Sequence, residues 1–166
     1  MAFRSIYKNQ SIVLEIFADE DSVQSISFFQ NTNQNLNELE LSNDKHPIIQ
    51  ECFSQLDEYF AGKRKEFKMP FSIEGTDFQN RVWSKLLEIP YGQTITYLEL
   101  AKRLGDEKCI RAAASANGRN KIAILIPCHR VIGTNGSLTG YAGGIENKKM
   151  LLELEKRNSK LIGGLF

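Results

Sequence analysis

The sequence predicts an α+β protein, in which a small antiparallel sheet with one helix precedes a mainly α-helical part with a helix-turn-helix. Residues 11–17 and 23–29 predict the sheet, because they are rich in β-branched and aromatic residues and a short polar stretch between them is typical of a hairpin turn. Capping signals and apolar stripes at helical spacing recur after residue 75 and predict the helical part. We therefore predict two domains, 1–74 and 75–166.

The first domain is predicted from packing patterns alone. Residues 3–7 can add a third strand, and the Asn-rich segment 30–45 is predicted to be a loop. Pro47 suits the first turn of a helix, Gly62 can end it, and apolar residues recur at helical spacing between them. Nothing in this half predicts chemistry.

Three helical patterns open the second domain. Thr76 begins a capping box for a helix that should end before Pro90, and Thr96 begins a second one for a short helix through Arg103. A third helix is predicted over about 107–117, after a Gly-containing turn. Two short helices joined in this way resemble a helix-turn-helix.

The exposed face of that third helix would carry one long cation, Arg111, flanked by the small side chains of Ala112 and Ser115. Small side chains would let the helix enter a narrow groove while Arg111 reaches further. The alternative is a plain stable helix, because alanine is the best helix former. The pattern does not decide between these two interpretations.

The remaining segments are an apolar run, a glycine-rich stretch and a closing helix. Residues 121–126 are predicted to be a buried strand or a tight approach segment, and the glycines of residues 133–144 allow tight turns. Residues 146–157 have the spacing of a helix with Met150, Leu151 and Leu154 facing inward.

Composition is that of an ordinary globular protein. Hydrophobic residues make up 42% and charged residues 25%, and no apolar run approaches the roughly 20 residues that a membrane-spanning helix needs. The first residues lack a signal peptide's apolar stretch, and three cysteines argue against a disulfide scaffold. We expect a cytoplasmic protein, nucleoid-associated if prokaryotic, without membrane contact.

Charge and metal-ligand patterns are weaker signals. The net charge is +1, but residues 99–130 hold seven Lys or Arg against three acidic residues, which is either a phosphate-binding surface or an ordinary solvated one. Two histidines without CxxC or HxxxH spacing predict no metal site, and nothing predicts a cofactor.

Cys128 and His129 lie side by side in the apolar run ILIPCHRVI. A thiol attacks only as a thiolate, and apolar surroundings oppose ionisation, so a reactive Cys128 needs a proton acceptor, for which His129 is the candidate. A carboxylate should orient the imidazole, and the closing helix offers three whose spacing does not select among them, Glu146, Glu153 and Glu155. The alternative is a buried structural cysteine.

The heptad IPCHRVI resembles the active-site motif of the O6-alkylguanine-DNA alkyltransferases (methylated-DNA–protein-cysteine methyltransferases). Residues 75–105, 111–120 and 140–155 are similar to this family's other motifs, in the same order. The resemblance implies an RNase H-like first domain, and a second domain that binds DNA and transfers the alkyl group. Residues 1–74 match only in length and general character.

The resemblance implies four catalytic residues. Cys128 would take the alkyl group from O6 of guanine, once per molecule because the thiol is not regenerated. His129 would accept the thiol proton through a water, and Glu155 would hold the imidazole. Tyr97 would donate to N3 of the guanine after the nucleotide has rotated out of the duplex.

The resemblance also implies the DNA-binding and pocket residues. Arg111 would fill the gap that the rotated nucleotide leaves in the minor groove, with Ala112, Ser115 and Thr96 beside it. The implied partner is duplex DNA containing O6-alkylguanine, with O4-alkylthymine as a further candidate, and we expect a monomer with cooperative DNA binding left open. The residues implied to form the guanine pocket or brace it are Asn120, Val131, Tyr141 and Ala142.

Three positions depart from the family's best-known pattern. Ala114 stands where many members have glycine, Lys121 where proline is common, and Ala142 where some members carry serine. Some members carry zinc in the first domain, but the sequence offers no matching Cys/His cluster, so no metal is predicted.

Other functions remain as alternatives. A non-catalytic protein of the alkyltransferase-like type would bind alkylated bases without repairing them, but such proteins have tryptophan in place of the cysteine. A cysteine hydrolase with a Cys–His pair would turn over many times, and a plain helix-turn-helix regulator would not need Cys128.

Overall fold

The computed structural model describes residues 3–10, 12–29 and 45–163. It divides the chain into two compact units, Met1–Ile73 and Glu74–Phe166. The fold is the predicted α+β class, with a small antiparallel sheet and one helix in the first unit and a mainly helical second unit. No helix in the described part of the chain combines the length and apolar character needed to cross a membrane.

The first unit is a three-stranded sheet covered by one helix. Strands β1 (Phe3–Asn9), β2 (Ile12–Ala18) and β3 (Val23–Phe28) are antiparallel and lie in the order β1-β2-β3. Alternate residues such as Leu14 and Ile16 of β2 are buried, as expected for a sheet with one face on a core. The predicted loop at 30–45 falls almost entirely outside the described residues.

Helix α1 (Pro47–Phe60) packs on this sheet, with contacts to β1 and β3. Its apolar residues at helical spacing, including Ile49 and Leu56, are fully buried. The helix starts at Pro47 as predicted and ends before Gly62, which adopts a positive φ of 78° that suits glycine.

The second unit begins with three helices. Helix α2 (Asp77–Leu86) has the predicted Thr76 capping box and ends before Pro90 as predicted. The residues after it form three-residue turns, with Ile89 N–H donating to Leu86 O at 3.1 Å, so the chain leaves the α-helix before Pro90.

The predicted helix-turn-helix consists of α3 (Tyr97–Arg103) and α4 (Ile110–Gly118), which contact each other. The helix predicted over 107–117 starts differently, because Asp106 caps a short 3-10 turn at Glu107–Cys109 and the α-helix begins only at Ile110. Helix α2 packs against α4, and Trp83 Nε1 donates to Ala116 O at 2.9 Å.

The last part of the unit carries two very short strands and the longest helix. Strand β4 (Ile95–Thr96) pairs in parallel with β5 (Val131–Ile132), a contact that the sequence does not predict. Helix α5 (Ile145–Gly163) extends several residues beyond the predicted end at residue 157.

Candidate active site

The run at 121–126 is the tight approach segment and not the buried strand. Leu125 N–H donates to Ala123 O at 2.9 Å across Ile124, whose φ of 73° is unusual for a β-branched residue. Cys128 N–H then donates to Ile126 O at 2.8 Å. Two consecutive tight turns therefore lead the buried chain into Cys128.

Two asparagine side chains hold this segment in place. Asn120 Nδ2 donates to Ile126 O at 2.8 Å, and its Oδ1 accepts from Ile122 N–H at 3.0 Å. Asn117 Nδ2 donates to Cys128 O at 3.3 Å. Asn120 thus braces the turn that precedes Cys128, which itself opens a short 3-10 turn at Cys128–Arg130.

The Cys128 thiol is held in its neutral form. Its residue is 5% exposed, and burial raises the pKa of the thiol, while a hydrogen bond from Asn120 and the positive charge of Lys148 lower it to a smaller extent. At neutral pH the thiol therefore needs a base to become a nucleophile.

His129 is the base candidate, and its ring contacts a carboxylate. His129 Nε2 lies 2.5 Å from Glu155 Oε2, and both side chains are essentially unexposed. Burial lowers the pKa of His129 and Glu155 opposes this, so the imidazole is neutral near pH 7. The carboxylate favours a proton on Nε2, which leaves the buried Nδ1 as an acceptor without a hydrogen-bond partner among the described residues.

Glu155 receives hydrogen bonds on both carboxylate oxygens. Besides His129, Arg130 donates from Nε to Oε1 at 2.8 Å and from Nη2 to Oε2 at 3.3 Å, and Gly92 N–H donates to Oε1 at 3.2 Å. Burial alone would raise the pKa of Glu155, but the contacts with His129 and Arg130 outweigh it and lower that pKa to about 2. Glu146 and Glu153 are exposed, so only one of the three candidate carboxylates contacts His129.

Tyr97 and Thr96 lie at the start of α3. Tyr97 is half-buried and its hydroxyl donates to Thr139 O at 3.2 Å. Burial raises the pKa of the Tyr97 phenol, and the charge of a Cys128 thiolate raises it further, so Tyr97 is protonated and electrostatically close to Cys128. Thr96 caps the helix, with its Oγ1 accepting from Glu99 N–H at 3.0 Å.

The three remaining pocket candidates differ in burial. Val131 is fully buried, and Tyr141 is half-buried with a phenol whose pKa is raised by burial and then by the charges of Cys128 and Glu155. Ala142 is exposed. Tyr141 is thus electrostatically close to Cys128, Val131 lies in the interior, and Ala142 lies at the surface.

The predicted DNA-binding face of α4 is on the surface. Arg111, Ala112 and Ser115 are exposed, whereas Ala113 and Asn117 are buried. A cavity of about 370 Å³ opens beside this face; its lining residues are Tyr97, Ile110, Arg111, Ala114, Gly133, Thr134, Thr139 and Gly140. The methyl group of Ala114 therefore borders this cavity. The described residues contain no group of three or more His, Cys, Asp or Glu that could hold a metal ion.

Two family models match the chain. Residues 77–157 match the DNA binding domain of 6-O-methylguanine DNA methyltransferase, and residues 7–73 match the ribonuclease-like domain of the same protein. The chain belongs to the 6-O-methylguanine DNA methyltransferase family. Both the enzyme family and the ribonuclease-like first domain were predicted from the sequence, and both are confirmed.

Individual members of the family support this assignment. A methylated-DNA–protein-cysteine methyltransferase of Methanosarcina acetivorans is 42% identical over 92% of this chain and 97% of its own length. The crystal structure of Mycobacterium tuberculosis O6-methylguanine methyltransferase superposes with a TM-score of 0.82 at 37% identity, covering 95% of this chain and 94% of that one. The structure of the M. tuberculosis protein in complex with DNA gives a TM-score of 0.80 at 39% identity, covering 93% of each chain.

Two buried cations beside the family's motif residues were not predicted as site residues. Arg130 is 7% exposed, and besides Glu155 its Nη1 donates to Ile89 O at 2.7 Å. Lys148 is unexposed, and its Nζ donates to Val131 O at 2.6 Å and to Thr139 O at 3.3 Å.

Helical periodicity could have identified one of these two residues, Lys148, and could have helped to choose among the candidate carboxylates. Lys148, Leu151 and Glu155 are spaced three and four residues apart along α5 and therefore share one face, whereas Glu153 lies on another. This spacing alone separates Glu155 from Glu153. Nothing in the sequence around Arg130 indicates that its guanidinium is buried.

Proposed function

We propose that this protein repairs O6-alkylguanine in duplex DNA by moving the alkyl group onto its own Cys128, once per molecule. The observation that carries the proposal is the buried Cys128 followed by a neutral His129 that Glu155 anchors at 2.5 Å, within a chain that belongs to the 6-O-methylguanine DNA methyltransferase family. The relatives' name, methylated-DNA–protein-cysteine methyltransferase, describes transfer of a methyl group from DNA to a protein cysteine, which supports the proposal.

The reaction begins with proton transfer. The thiol proton of Cys128 passes to His129 Nδ1 through a water, and Glu155 stabilises the imidazolium that forms. The thiolate then attacks the alkyl carbon: an S–C bond forms, the C–O6 bond breaks, and its electron pair goes to the guanine. The Tyr97 hydroxyl leaves Thr139 O and donates its proton to the base, so the leaving group is neutral guanine.

The proton balance closes after transfer. His129 carries the proton from Cys128 and Tyr97 has lost one, so a proton returns from the imidazolium to the phenolate through solvent. The product on the protein is an uncharged thioether at Cys128. Neither His129 nor Tyr97 can cleave its S–C bond to restore the thiol. Each molecule therefore acts once.

Arg111 and its neighbours on α4 provide the DNA contact. The alkylated atom lies inside the base stack, so the nucleotide must rotate out, at a cost of a few kcal/mol. Arg111 fills the gap from the minor groove, and the small side chains of Ala112 and Ser115, with Thr96, allow close approach to the sugar-phosphate backbone. The exposure of this face supports that role.

The guanine pocket lies between α4 and the segment after Cys128. The cavity of about 370 Å³ beside Tyr97 and Arg111 is of the size that small ligands occupy. Val131 and Tyr141 form the inner side of the pocket, Ala142 contributes its backbone at the rim, and Asn120 keeps the Cys128 turn in place.

The decisive test is the intact mass of the protein after incubation with duplex DNA containing O6-methylguanine. We expect a gain of one methyl group per molecule that maps to Cys128 and is absent with unmodified duplex. Cys128→Ala should abolish the gain and retain DNA binding. Cys109→Ala, which removes a partly exposed cysteine, is the matched control and should react like the wild type.

Two results would contradict the proposal. DNA binding without any mass gain would indicate a non-catalytic protein that recognises alkylated bases. More than one methyl group per molecule, or a methyl group on another residue, would exclude the single-transfer mechanism.

A further inference from the structure

Arg130 is buried beside the Glu155 carboxylate. Its guanidinium contacts the two carboxylate oxygens through Nε and Nη2, at 2.8 and 3.3 Å, and contacts Ile89 O through Nη1 at 2.7 Å. The Tyr91 ring covers it, with a guanidinium carbon 5.7 Å from the ring centre. Three donor nitrogens and one face of the guanidinium are thus in contact with protein.

This arrangement fixes the carboxylate in a way that His129 alone cannot. A single hydrogen bond leaves a carboxylate free to rotate about its side-chain bonds, whereas a two-point contact with a planar guanidinium fixes its plane. Gly92 N–H adds a third point at Oε1. The oxygen Oε2 that accepts from His129 therefore also accepts from Arg130, while Oε1 accepts from Arg130 and Gly92.

The same contact changes the charge that His129 experiences. An unpaired carboxylate in the interior strongly favours a protonated imidazole, as opposite charges do at short distance. Glu155 and Arg130 together carry no net charge. This pair still accepts a hydrogen bond from His129, but it favours the protonated imidazole much less than an unpaired carboxylate would. A neutral imidazole is the form that can accept the proton of Cys128.

We propose that Arg130 is a positioning residue for alkyl transfer: it holds Glu155 at two points and balances its charge, so that His129 stays unprotonated to a lower pH than beside an unpaired carboxylate. This inference rests on the proposed function only for the importance of that proton transfer. The contacts themselves exist without substrate.

Other charged and titratable groups also act on His129 or Glu155. Arg130 from the same turn and Lys148 from α5 act on His129, and Tyr91 after α2 and Tyr141 from the glycine-rich stretch interact with Glu155. Cys128 directly precedes His129 in the same turn. Lys148 acts on His129 in the same sense as Arg130, and its Nζ donates to Val131 O and Thr139 O. Arg130 both orients the carboxylate and balances its charge.

The first test is an NMR titration of the imidazoles. The chain has two histidines, so His46 in the first unit serves as an internal reference. Arg130→Met should raise the titration midpoint of His129 by about one pH unit, the lower end of what one nearby charge produces, and leave His46 unchanged. Glu155→Gln should shift the midpoint of His129 in the opposite direction.

A double variant covers the case in which Arg130→Met does not fold. Replacing both partners of a buried ion pair removes both charges and is tolerated better than removing one. In the Glu155→Gln background, Arg130→Met should still raise the midpoint of His129. If Arg130→Met left the midpoint unchanged in any background that folds, the charge-balancing role would be overturned.

The second test is the pH profile of the transfer rate. In the wild type the rate falls on the acid side where the Cys128–His129 pair takes up its extra proton, and Arg130→Met should move that fall to higher pH. Arg130→Lys keeps the charge but loses the two-point contact, so it should keep the wild-type pH range and lower the rate. Arg81→Met is the control, because Arg81 in α2 donates to Leu104 O and is exposed.

The outcomes separate this inference from the proposed function. If the wild type transfers no methyl group, the proposed function fails, whereas the NMR titration still tests the contact. If the wild type transfers but Arg130→Met only lowers the rate without moving the pH range, Arg130 has a structural role and the inference fails.

Discussion

The two polar regions of the second unit differ in how their charges are accommodated. In the buried cluster of His129, Arg130 and Glu155 each charged group is neutralised by a partner in the interior, whereas Arg111 on α4 is exposed. Removing one partner of a buried pair leaves an uncompensated charge, while removing a solvated charge costs little stability. Substitutions in the cluster should therefore change folding and chemistry together, and substitutions of exposed charges on α4 should change the action on duplex DNA without changing stability.

The largest effect is expected for Glu155→Gln. The variant leaves the Arg130 guanidinium buried without its carboxylate, which should lower the free energy of unfolding by about 3 kcal/mol. The transfer rate should fall at least about tenfold, because His129 loses the anion that stabilises its protonated form. Unfolding by urea can be followed by the fluorescence of Trp83, the single and buried tryptophan.

Glu153→Gln is the matched control for this change. It alters the same residue type two positions earlier on α5, where the side chain is exposed, and it should affect neither stability nor rate. Equal rates for Glu155→Gln and the wild type would show that another group orients His129.

Acid should destabilise the second unit through the same cluster. The pKa of Glu155 is lowered from 4.5 to about 2, so the folded state binds its proton less readily than the unfolded state does. This contributes about 3 kcal/mol of stability that is present above pH 4.5 and lost as the pH falls towards 2. The lowered pKa of His129 acts in the same direction and begins to reduce stability below about pH 6.5.

The measurement is the urea midpoint of Trp83 fluorescence between pH 7 and the lowest pH at which the wild type folds. Glu155→Gln should flatten the steep part below pH 4.5. A wild-type stability that did not decrease over this range would mean that the Arg130 and His129 contacts do not lower the pKa of Glu155.

The exposed face of α4 and the buried cluster also differ in how well the sequence predicts them. The exposed face of α4 depends on local periodicity, which places Arg111 opposite Ala113 and Asn117 without any knowledge of the fold. Thr76 and Thr96 likewise predict the starts of their helices, because an N-cap bonds to residues only three positions later in the sequence.

The cluster depends on long-range contacts that no local pattern contains. Arg130 meets Ile89 and Glu155 from two distant segments, and the two-residue strands β4 and β5 exist only because the chain brings Ile95 beside Val131. The positive φ of Ile124 is likewise imposed by the buried turn and not by the preference of a β-branched residue. Helical spacing separates Glu155 from Glu153, but pairing Glu155 with His129 required the family resemblance or the structure.

Arg111→Ala tests the exposed region. Its side chain is proposed to offset part of the cost of rotating a nucleotide out of the stack, so transfer from duplex DNA should slow at least about tenfold. Transfer from the free base O6-methylguanine should be unchanged, because no stack has to be opened. Stability should also be unchanged.

Arg119→Ala removes the same charge from an exposed position at the other end of α4 and serves as the control. It should weaken DNA binding slightly and in a salt-dependent manner, as the loss of one phosphate contact does. Equal losses for duplex and free base with Arg111→Ala would contradict the role of Arg111 in filling the stack.

The smallest effects are expected when the threonines that cap two helices are replaced. Thr76 Oγ1 accepts from Gln79 N–H at 3.1 Å and Thr96 Oγ1 accepts from Glu99 N–H at 3.0 Å, so replacing either threonine by alanine should cost about 1 kcal/mol of stability. Only Thr96→Ala should also slow transfer from duplex DNA, because Thr96 is proposed to approach the DNA backbone and Thr76 is not. Urea midpoints and single-turnover rates measured on both variants separate the two contributions. If the two variants lost stability and duplex activity to the same extent, Thr96 would be a helix cap and nothing more.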